Sequence, residues 1–227
     1  MARRATQKTD FQHTPPRKQV LLLTCMDSRL LDDTVSFMNE YNLANRYDQV
    51  VFAGAALGVL RMNSPTVTGS SLSTESVWKD VFFHHLQLAI DVLKRQIKDI
   101  FILEHRDCGA YQHYHPNHRK LYEEDQAGQN LEEKHHRKQA FLLPKTIRDF
   151  CLKQQHLVLN QERTVTTEVA KNLARKRLAA WEGIQVKCFL MDLQGEVKHL
   201  RERPERKTAK GSKSSKPSRR SRNTSPA

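Results

Sequence analysis

Val20-Leu21-Leu22-Leu23-Thr24-Cys25-Met26-Asp27-Ser28-Arg29 opens on four apolar residues and closes on a thiol and two opposite charges. A short apolar run bounded by polar residues reads as a strand buried on both faces, as in parallel sheets. A helical pattern follows, with Leu31, Val35 and Met38 at i, i+4 and i+7. Strand then helix is the opening half of a βαβ unit. A second stretch has the same design: Ile100-Phe101-Ile102-Leu103-Glu104-His105-Arg106-Asp107-Cys108-Gly109-Ala110. It is approached through a helical stripe of Phe82, Leu86, Ala89, Ile90, Leu93 and Ile97 within residues 77–98. A right-handed crossover then lays the two apolar runs parallel, with both carboxyl ends at one edge. The expected fold class is α/β, with a mainly parallel central sheet flanked by helices.

The remaining segments fit that frame. Residues 49–52 form another short apolar run that ends at Ala53-Gly54-Ala55-Ala56, where small residues let backbone approach a site closely. Residues 61–76, rich in Ser and Thr with Pro65 and Gly69, read as a long loop or insertion. The charged stretch through Lys138 reads as helix or loop, and Pro144 as a helix start within 140–159. Val165, Val169 and Leu173, flanked by Ala170, Ala174, Leu178 and Trp181, mark a further amphipathic helix. Residues 184–193 read as a strand, Gln194-Gly195 as a turn, and 197–200 as its hairpin partner. His84 and His85 are expected to divide between core and solvent, and Cys151 and Cys188 to be core thiols.

Charge is distributed unevenly. Of a formal +13, residues 201–227 contribute +8 and residues 1–18 contribute +4, so 19–200 sits near +1. The expected organisation is a basic arm over 1–18, a folded domain over 19–200 and a disordered basic tail over 201–227, which has little apolar surface to offset the entropy of ordering. Such a tail either solubilises the chain or lies on nucleic acid or another anionic partner through salt-sensitive contacts. No run of 18 apolar residues exists and the first 18 residues have no apolar core, so no membrane span and a cytoplasmic location are expected. Four cysteines in 227 residues are too few for a disulfide scaffold.

Cys25, His105 and Cys108 are a ligand set that zinc accepts. His105 and Cys108 are three apart and can reach one ion as their strand ends, while Cys25 arrives from the other run. Three protein ligands leave a position for water, whose pKa on the metal falls to about 7. Four ligands make a structural site, and buried cysteines can also be plain core residues. Asp27 and Arg29, two apart, point the same way in an extended turn and can pair beside the metal. That pair either orients a water or releases the carboxylate to close the fourth position. His113, His115 and His118 are either proton shuttles or surface residues.

Cys25-x-Asp27-x-Arg29 followed by His105-x-Asp107-Cys108-Gly109-Ala110 resembles the zinc signature of the β-class carbonic anhydrases. The likeness runs from about Val20 to Tyr111, with a weaker echo at Gly195 and Val197. It implies a β-carbonic anhydrase-like parallel sheet, a homodimer or higher oligomer, and reversible hydration of carbon dioxide to bicarbonate by metal-bound hydroxide. Cys25, His105 and Cys108 would bind Zn2+, and Asp27 and Arg29 would form the catalytic dyad. Related outcomes are a zinc hydrolase of another small linear substrate, carbonyl sulfide or carbon disulfide, and a non-catalytic zinc domain whose tail binds nucleic acid or an acidic partner. The chain departs from the family where Phe52-Ala53-Gly54-Ala55-Ala56 replaces an Arg-Asn-Ala-Gly stretch, where Glu104 replaces the glycine before the histidine, and where 61–76 lengthens the interval.

Overall fold

The computed structural model describes residues 19–61, 77–114 and 125–201. The arm over 1–18, the loop beyond Arg61, His115, His118 and all of the tail except Arg201 lie outside the described residues.

Five strands form one sheet in the order β2-β1-β3-β4-β5: β1 is Gln19–Thr24, β2 Tyr47–Val51, β3 Ile97–His105, β4 Gln185–Met191 and β5 Val197–Leu200. The first four are mutually parallel and β5 returns antiparallel to β4. The expected α/β class is therefore the observed one, with the two quoted runs as neighbours in register Leu22↔Phe101 and Thr24↔Leu103.

Alternation along the strands builds a core on both faces. Leu21, Leu23, Ile100, Ile102, Cys188 and Leu190 point to one side. Val20, Leu22, Phe101, Leu103, Phe189 and Met191 point to the other. This is why the strands read as unbroken apolar runs: a period of two is invisible when both faces are covered. The first face carries α2 (Ala56–Arg61), α3 (Val77–Gln87), α5 (Gln126–Thr164) and, through Trp181, α6 (Glu168–Trp181). The second face is covered by α1 (Leu31–Glu40), which contributes Phe37 and Met38. The remaining helix, α4 (Gly109–Tyr114), follows β3 directly.

Several expectations shift in register. In α1 the buried set is Thr34, Phe37 and Met38, whereas Leu31 and Val35 are 60% and 44% exposed. The helix starts only after a 3-10 turn over Ser28–Leu30, which rotates its inward face. Asn42, at φ 55, then ends it in the left-handed region that asparagine tolerates. The stripe that begins at Phe82 buries Phe82, Leu86, Ala89 and Ile90, but α3 passes into a π-turn over Leu88–Val92, which turns Leu93 outward. Ile97 is buried as the first residue of β3 and not as a helical position. His84 and His85 both face solvent, because Phe82, Phe83 and Leu86 already occupy the inward side. Val169 and Leu173 are likewise exposed, and α6 anchors through Trp181 alone among its buried residues.

Pro144 starts no helix; it lies inside the 39-residue α5, whose N-terminus is capped by Asp125 accepting from the Gly128 amide at 2.7 Å. Proline cannot donate to the carbonyl four residues back, which here is Ala140 O. The Cys188 thiol donates to that oxygen at 3.2 Å. The two residues are fully buried, so β4 supplies the bond that the proline removes. Cys188 is thus a core thiol, as expected, and also a hydrogen-bond donor that lets a helix carry an internal proline.

Truncating this donor tests the link. Cys188→Ala should cost about 1–3 kcal/mol in urea unfolding, the cost of a stranded buried acceptor. In a Pro144→Ala background, where residue 144 again donates to Ala140 O, the same truncation should cost measurably less. Equal costs in the two backgrounds would show that the thiol and the proline are independent.

Candidate metal centre

The carboxyl ends of β1 and β3 meet at one edge of the sheet, and three side chains converge there. One ligand atom each from Cys25, His105 and Cys108 lies within 4.8 Å of the other two. The two sulfurs are 3.9 Å apart. His105 is almost wholly buried; its Nδ1–H donates to Arg106 O at 2.8 Å, which fixes the ring and leaves Nε2 as the free lone pair. That Nε2 is buried and makes no hydrogen bond with the described residues. A buried acceptor without a donor is costly unless something electrophilic fills the space, and two thiols beside an imidazole are the donor set zinc takes. The residues therefore fit a metal ion.

Electrostatics point the same way. Cys25 is pulled down to about 4, chiefly by the Cys108 S–H that donates to it; burial opposes this, and His105 and the Gly54 N–H add to it. The same pairing, with burial, pushes Cys108 up. The two sulfurs thus share one proton and hold one thiolate at neutral pH. Burial drives His105 down, but its proximity to the Cys25 thiolate, with the Arg106 carbonyl and Asp27 adding to it, outweighs this and the net shift is upward. A cation entering this cluster would have to displace the proton that the two sulfurs share.

Small residues bring the backbone close, as their presence in 53–56 suggested. Gly54 N donates to Cys25 Sγ at 3.2 Å. Gly54 holds φ +74, and a Cβ there would meet Ala110 Cβ at 3.0 Å, so both the conformation and the approach favour glycine.

Asp27 and Arg29 pair as expected, though through a tighter turn than an extended one. Asp27 caps the 3-10 turn, accepting from the Arg29 amide at 3.1 Å. The guanidinium grips the same carboxylate with Nε at 3.0 and 3.2 Å and Nη2 at 2.7 Å. Its Nη1 reaches Asp107 Oδ2 at 2.8 Å and its Nη2 also reaches Asp107 O at 3.1 Å. Arg29 thus bridges the two strand ends. Its hydrogen bonds hold the Asp27 carboxyl at about 2, and the carboxylates push Arg29 upward in turn. Asp27 Oδ2 stands 3.9 Å from His105 Nε2, close to the centre yet held by arginine.

A cavity of about 210 Å³ opens beside the cluster, lined by Thr24, Cys25, Met26, Asp27, Leu31, Gln49, Val51, Leu103 and His105 among others. Gln49 on β2, which the sequence reading did not single out, donates to Thr24 Oγ1 at 3.0 Å at its wall.

Beneath the cluster lies a polar network that was also missed. Glu104 is buried; its Oε1 accepts from Ala56 N at 3.0 Å and its Oε2 lies 3.2 Å from His136 Nδ1. His136, on α5, is fully buried, and its Nε2 faces Glu132 Oε1 at 3.9 Å. Glu132 accepts from Asp107 N at 2.5 Å and from Arg106 Nη1 at 3.1 Å. The clamp holds Asp107 at φ 53, in the turn that delivers Cys108. Burial pushes Glu104 up to about 8 and His136 down to about 3, so near neutrality the two form an uncharged pair with the proton on the carboxyl. The signals were present: a glutamate inside an apolar run, and Glu132 and His136 four apart with Gln139 and Ala140 on one helical face. Of the three histidines in the polar stretch after Cys108, only His113 is described; it stacks edge-on against Tyr114 and is not part of the cluster.

No family model matches the chain. It is 31% identical over 93 residues to an uncharacterized protein of Rickettsia conorii, a stretch covering 40% of this chain and 42% of that protein. It is 30% identical over 91 residues to an uncharacterized protein of Rickettsia bellii, covering 40% of this chain and 48% of the relative. The chain therefore spans less than half the length of these curated relatives. Among solved structures, it is similar to a β-carbonic anhydrase of Aspergillus fumigatus at 15% identity and TM-score 0.35, covering 83% of this chain and 78% of that one. A tetrameric β-carbonic anhydrase of Sordaria macrospora gives 18% identity and TM-score 0.33, covering 81% and 80%. A carbonic anhydrase of Glaciozyma antarctica gives 11% identity and TM-score 0.33, covering 85% and 87%. These superpositions are loose, and the chemistry rests on the side chains described above.

The Glu104–His136 pair predicts a pH signature in the metal-free protein. Glu104 moves from 4.5 to about 8 on folding, so between those values the folded chain binds the extra proton and stability falls as pH rises. Glu104→Gln keeps an acceptor for Ala56 N and supplies an N–H to His136 without titrating. Its unfolding free energy relative to wild type should climb across that window, by at most about 1.4 kcal/mol per pH unit. A difference that stays flat with pH would mean that Glu104 is ionised in the fold.

Proposed function

We propose that this protein is a zinc-dependent lyase that hydrates carbon dioxide reversibly to bicarbonate, with Cys25, His105 and Cys108 as metal ligands and Asp27 and Arg29 beside the remaining position. The observation that carries the reading is the convergence of those three ligand atoms within 4.8 Å around a buried imidazole nitrogen that has no other partner. The order and spacing of both motifs, as in the β-class carbonic anhydrases, select the reaction.

Zinc at such a site supplies a Lewis acid that makes a water nucleophilic near neutral pH. The chain supplies the rest. Cys25 and Cys108 donate charge as thiolates, and the Arg106 carbonyl fixes the His105 tautomer that points Nε2 inward. Arg29 occupies both oxygens of Asp27, so the carboxylate stays ionised and withheld from the cluster as an acceptor that can orient a nucleophile. This arrangement favours an open fourth position over one closed by Asp27. The mostly apolar cavity of about 210 Å³ suits a small neutral molecule. Carbonyl sulfide and carbon disulfide share that shape and are the competing substrates within the same reading.

Met26, Leu31 and Val51 line the cavity and are nevertheless exposed at its mouth. Apolar side chains left open around a site support the expected homodimer or higher oligomer, with a second copy covering this rim. The free thiols support a reducing, cytoplasmic setting. No helix among the described residues is long and apolar enough to cross a membrane. Residues 1–18 and 201–227 flank the zinc domain as basic arms, and salt-sensitive binding of nucleic acid or another anionic partner through the second is a separate property, tested by deleting 201–227.

Metal analysis combined with stopped-flow hydration tests the proposal. Wild type should carry about one zinc per chain and hydrate carbon dioxide, and Cys108→Ser should lose both. Arg29→Gln should keep its zinc while hydration falls by roughly 10–100-fold, the usual cost of removing a group that orients the inner ligands. Full zinc occupancy in wild type without hydration of carbon dioxide would overturn the assigned reaction.

A further inference from the structure

A concentration of positive charge lies at the opposite end of the sheet, where β3 begins. A cavity of about 570 Å³ is lined by Lys94, Arg95, Lys98, Lys176 and Arg177, with Ile90, Gln96, Leu173, Ala179 and Ala180 completing it. Among the described residues no carboxylate lines it. This is unexpected in a segment, 19–200, whose net charge is near +1.

Most of these cations are held in place. Arg177 donates Nε to Asp91 Oδ1 at 2.9 Å and Nη1 to Gln161 Oε1 at 3.0 Å, and Asp91 is steadied further by the Trp181 Nε1–H at 3.0 Å. Lys98 Nζ donates to Ala179 O at 2.8 Å and to Glu182 O at 2.7 Å at the end of α6. Lys94 Nζ donates to Asp91 O. Arg95 pairs with Asp48 at 3.4 Å. Asp91 and Asp48 therefore neutralise Arg177 and Arg95, while Lys94, Lys98 and Lys176 keep uncompensated charge. Lys176 makes no hydrogen bond or ion pair with the described residues.

The backbone here is also unusual. Lys94 sits at φ 56, a region that a lysine adopts at a cost, immediately after the π-turn over Leu88–Val92. This helix end carries Lys94 to the rim, while Ile90, Leu173, Ala179 and Ala180 give the cavity an apolar wall.

The geometry points to a binding site for a phosphate ester of nucleotide size, its phosphates met by Lys94, Lys98 and Lys176 and its apolar body laid on Ile90, Leu173 and the two alanines. The volume falls within the roughly 300–1,000 Å³ usual for small-molecule sites. Lys176, together with the donors left over on Lys94 and Lys98, none of them paired with a carboxylate, matches the charge of a phosphate chain, while inorganic phosphate would leave the apolar wall uncovered. The site lies at the amino ends of the strands and does not depend on the metal centre.

Isothermal titration of the full-length zinc-loaded protein with ATP, AMP and inorganic phosphate tests it. ATP should bind most tightly, AMP less and inorganic phosphate least. Lys176→Glu should weaken ATP by at least about tenfold, the loss of one charge-assisted contact plus a new repulsion. Lys94→Gln, a milder change at the rim, should weaken it in the same direction, with carbon dioxide hydration unchanged in both variants. ATP binding that survives Lys176→Glu intact would place the nucleotide on the basic arms, and phosphate binding as tightly as ATP would reduce the cavity to a simple anion trap. Either result, or no binding of ATP, overturns the inference.

Discussion

The parallel pairing of Gln19–Thr24 with Ile97–His105 is the constraint on which the rest depends. Register Thr24↔Leu103 brings the two strand ends level, so that Cys25 and His105 leave the sheet side by side and Cys108 follows after one tight turn. A slip of one residue would turn every core side chain to the opposite face, and two packed faces forbid it. The site is thus fixed by the same burial that fixes the sheet. Arg29 adds a polar lock above the edge, tying Asp27 on one strand end to Asp107 on the other.

Below the edge, α5 supplies a second lock. Glu132 holds the Asp107 amide and Arg106, and His136 meets Glu104 in an uncharged pair. A long helix thereby reaches the turn that presents Cys108. Where the resemblance leads one to expect glycine before the histidine, Glu104 reaches across to the Ala56 amide, so the altered 52–56 segment and the altered residue 104 touch each other. The two positions thus form one local arrangement, a buried carboxyl held by a backbone amide.

Reading the chain forward located the parallel sheet and the convergence of Cys25, His105 and Cys108, because each ligand follows an apolar run and strand order places such ends together. The amphipathic faces were less legible. Leu31 and Val35 satisfy a helical period, yet the 3-10 turn capped by Asp27 rotates α1 so that Thr34 and Phe37 face inward. Leu93 and Ile97 fit a continuous helix, but a π-turn breaks the period between them. Pro144 looked like a start because a proline inside a helix strands a carbonyl, and the residue that satisfies that carbonyl, Cys188, is 44 positions away. Long-range compensation of this kind leaves no local trace. Glu104, Glu132 and His136 did leave one, a set of ionisable residues at buried positions, and its meaning appears only when α5 is laid against β3.

What Cys25, His105 and Cys108 hold decides the chemistry at this end of the sheet. Zinc K-edge X-ray absorption of the purified protein reads the coordination shell directly. Two sulfurs at about 2.3 Å with nitrogen or oxygen neighbours at about 2.0–2.1 Å are predicted, since two thiolates, one imidazole and one exchangeable position make up the set. A shell of nitrogen and oxygen alone, a shell with more than two sulfurs, or a protein purified with no metal and no capacity to take one up would contradict it.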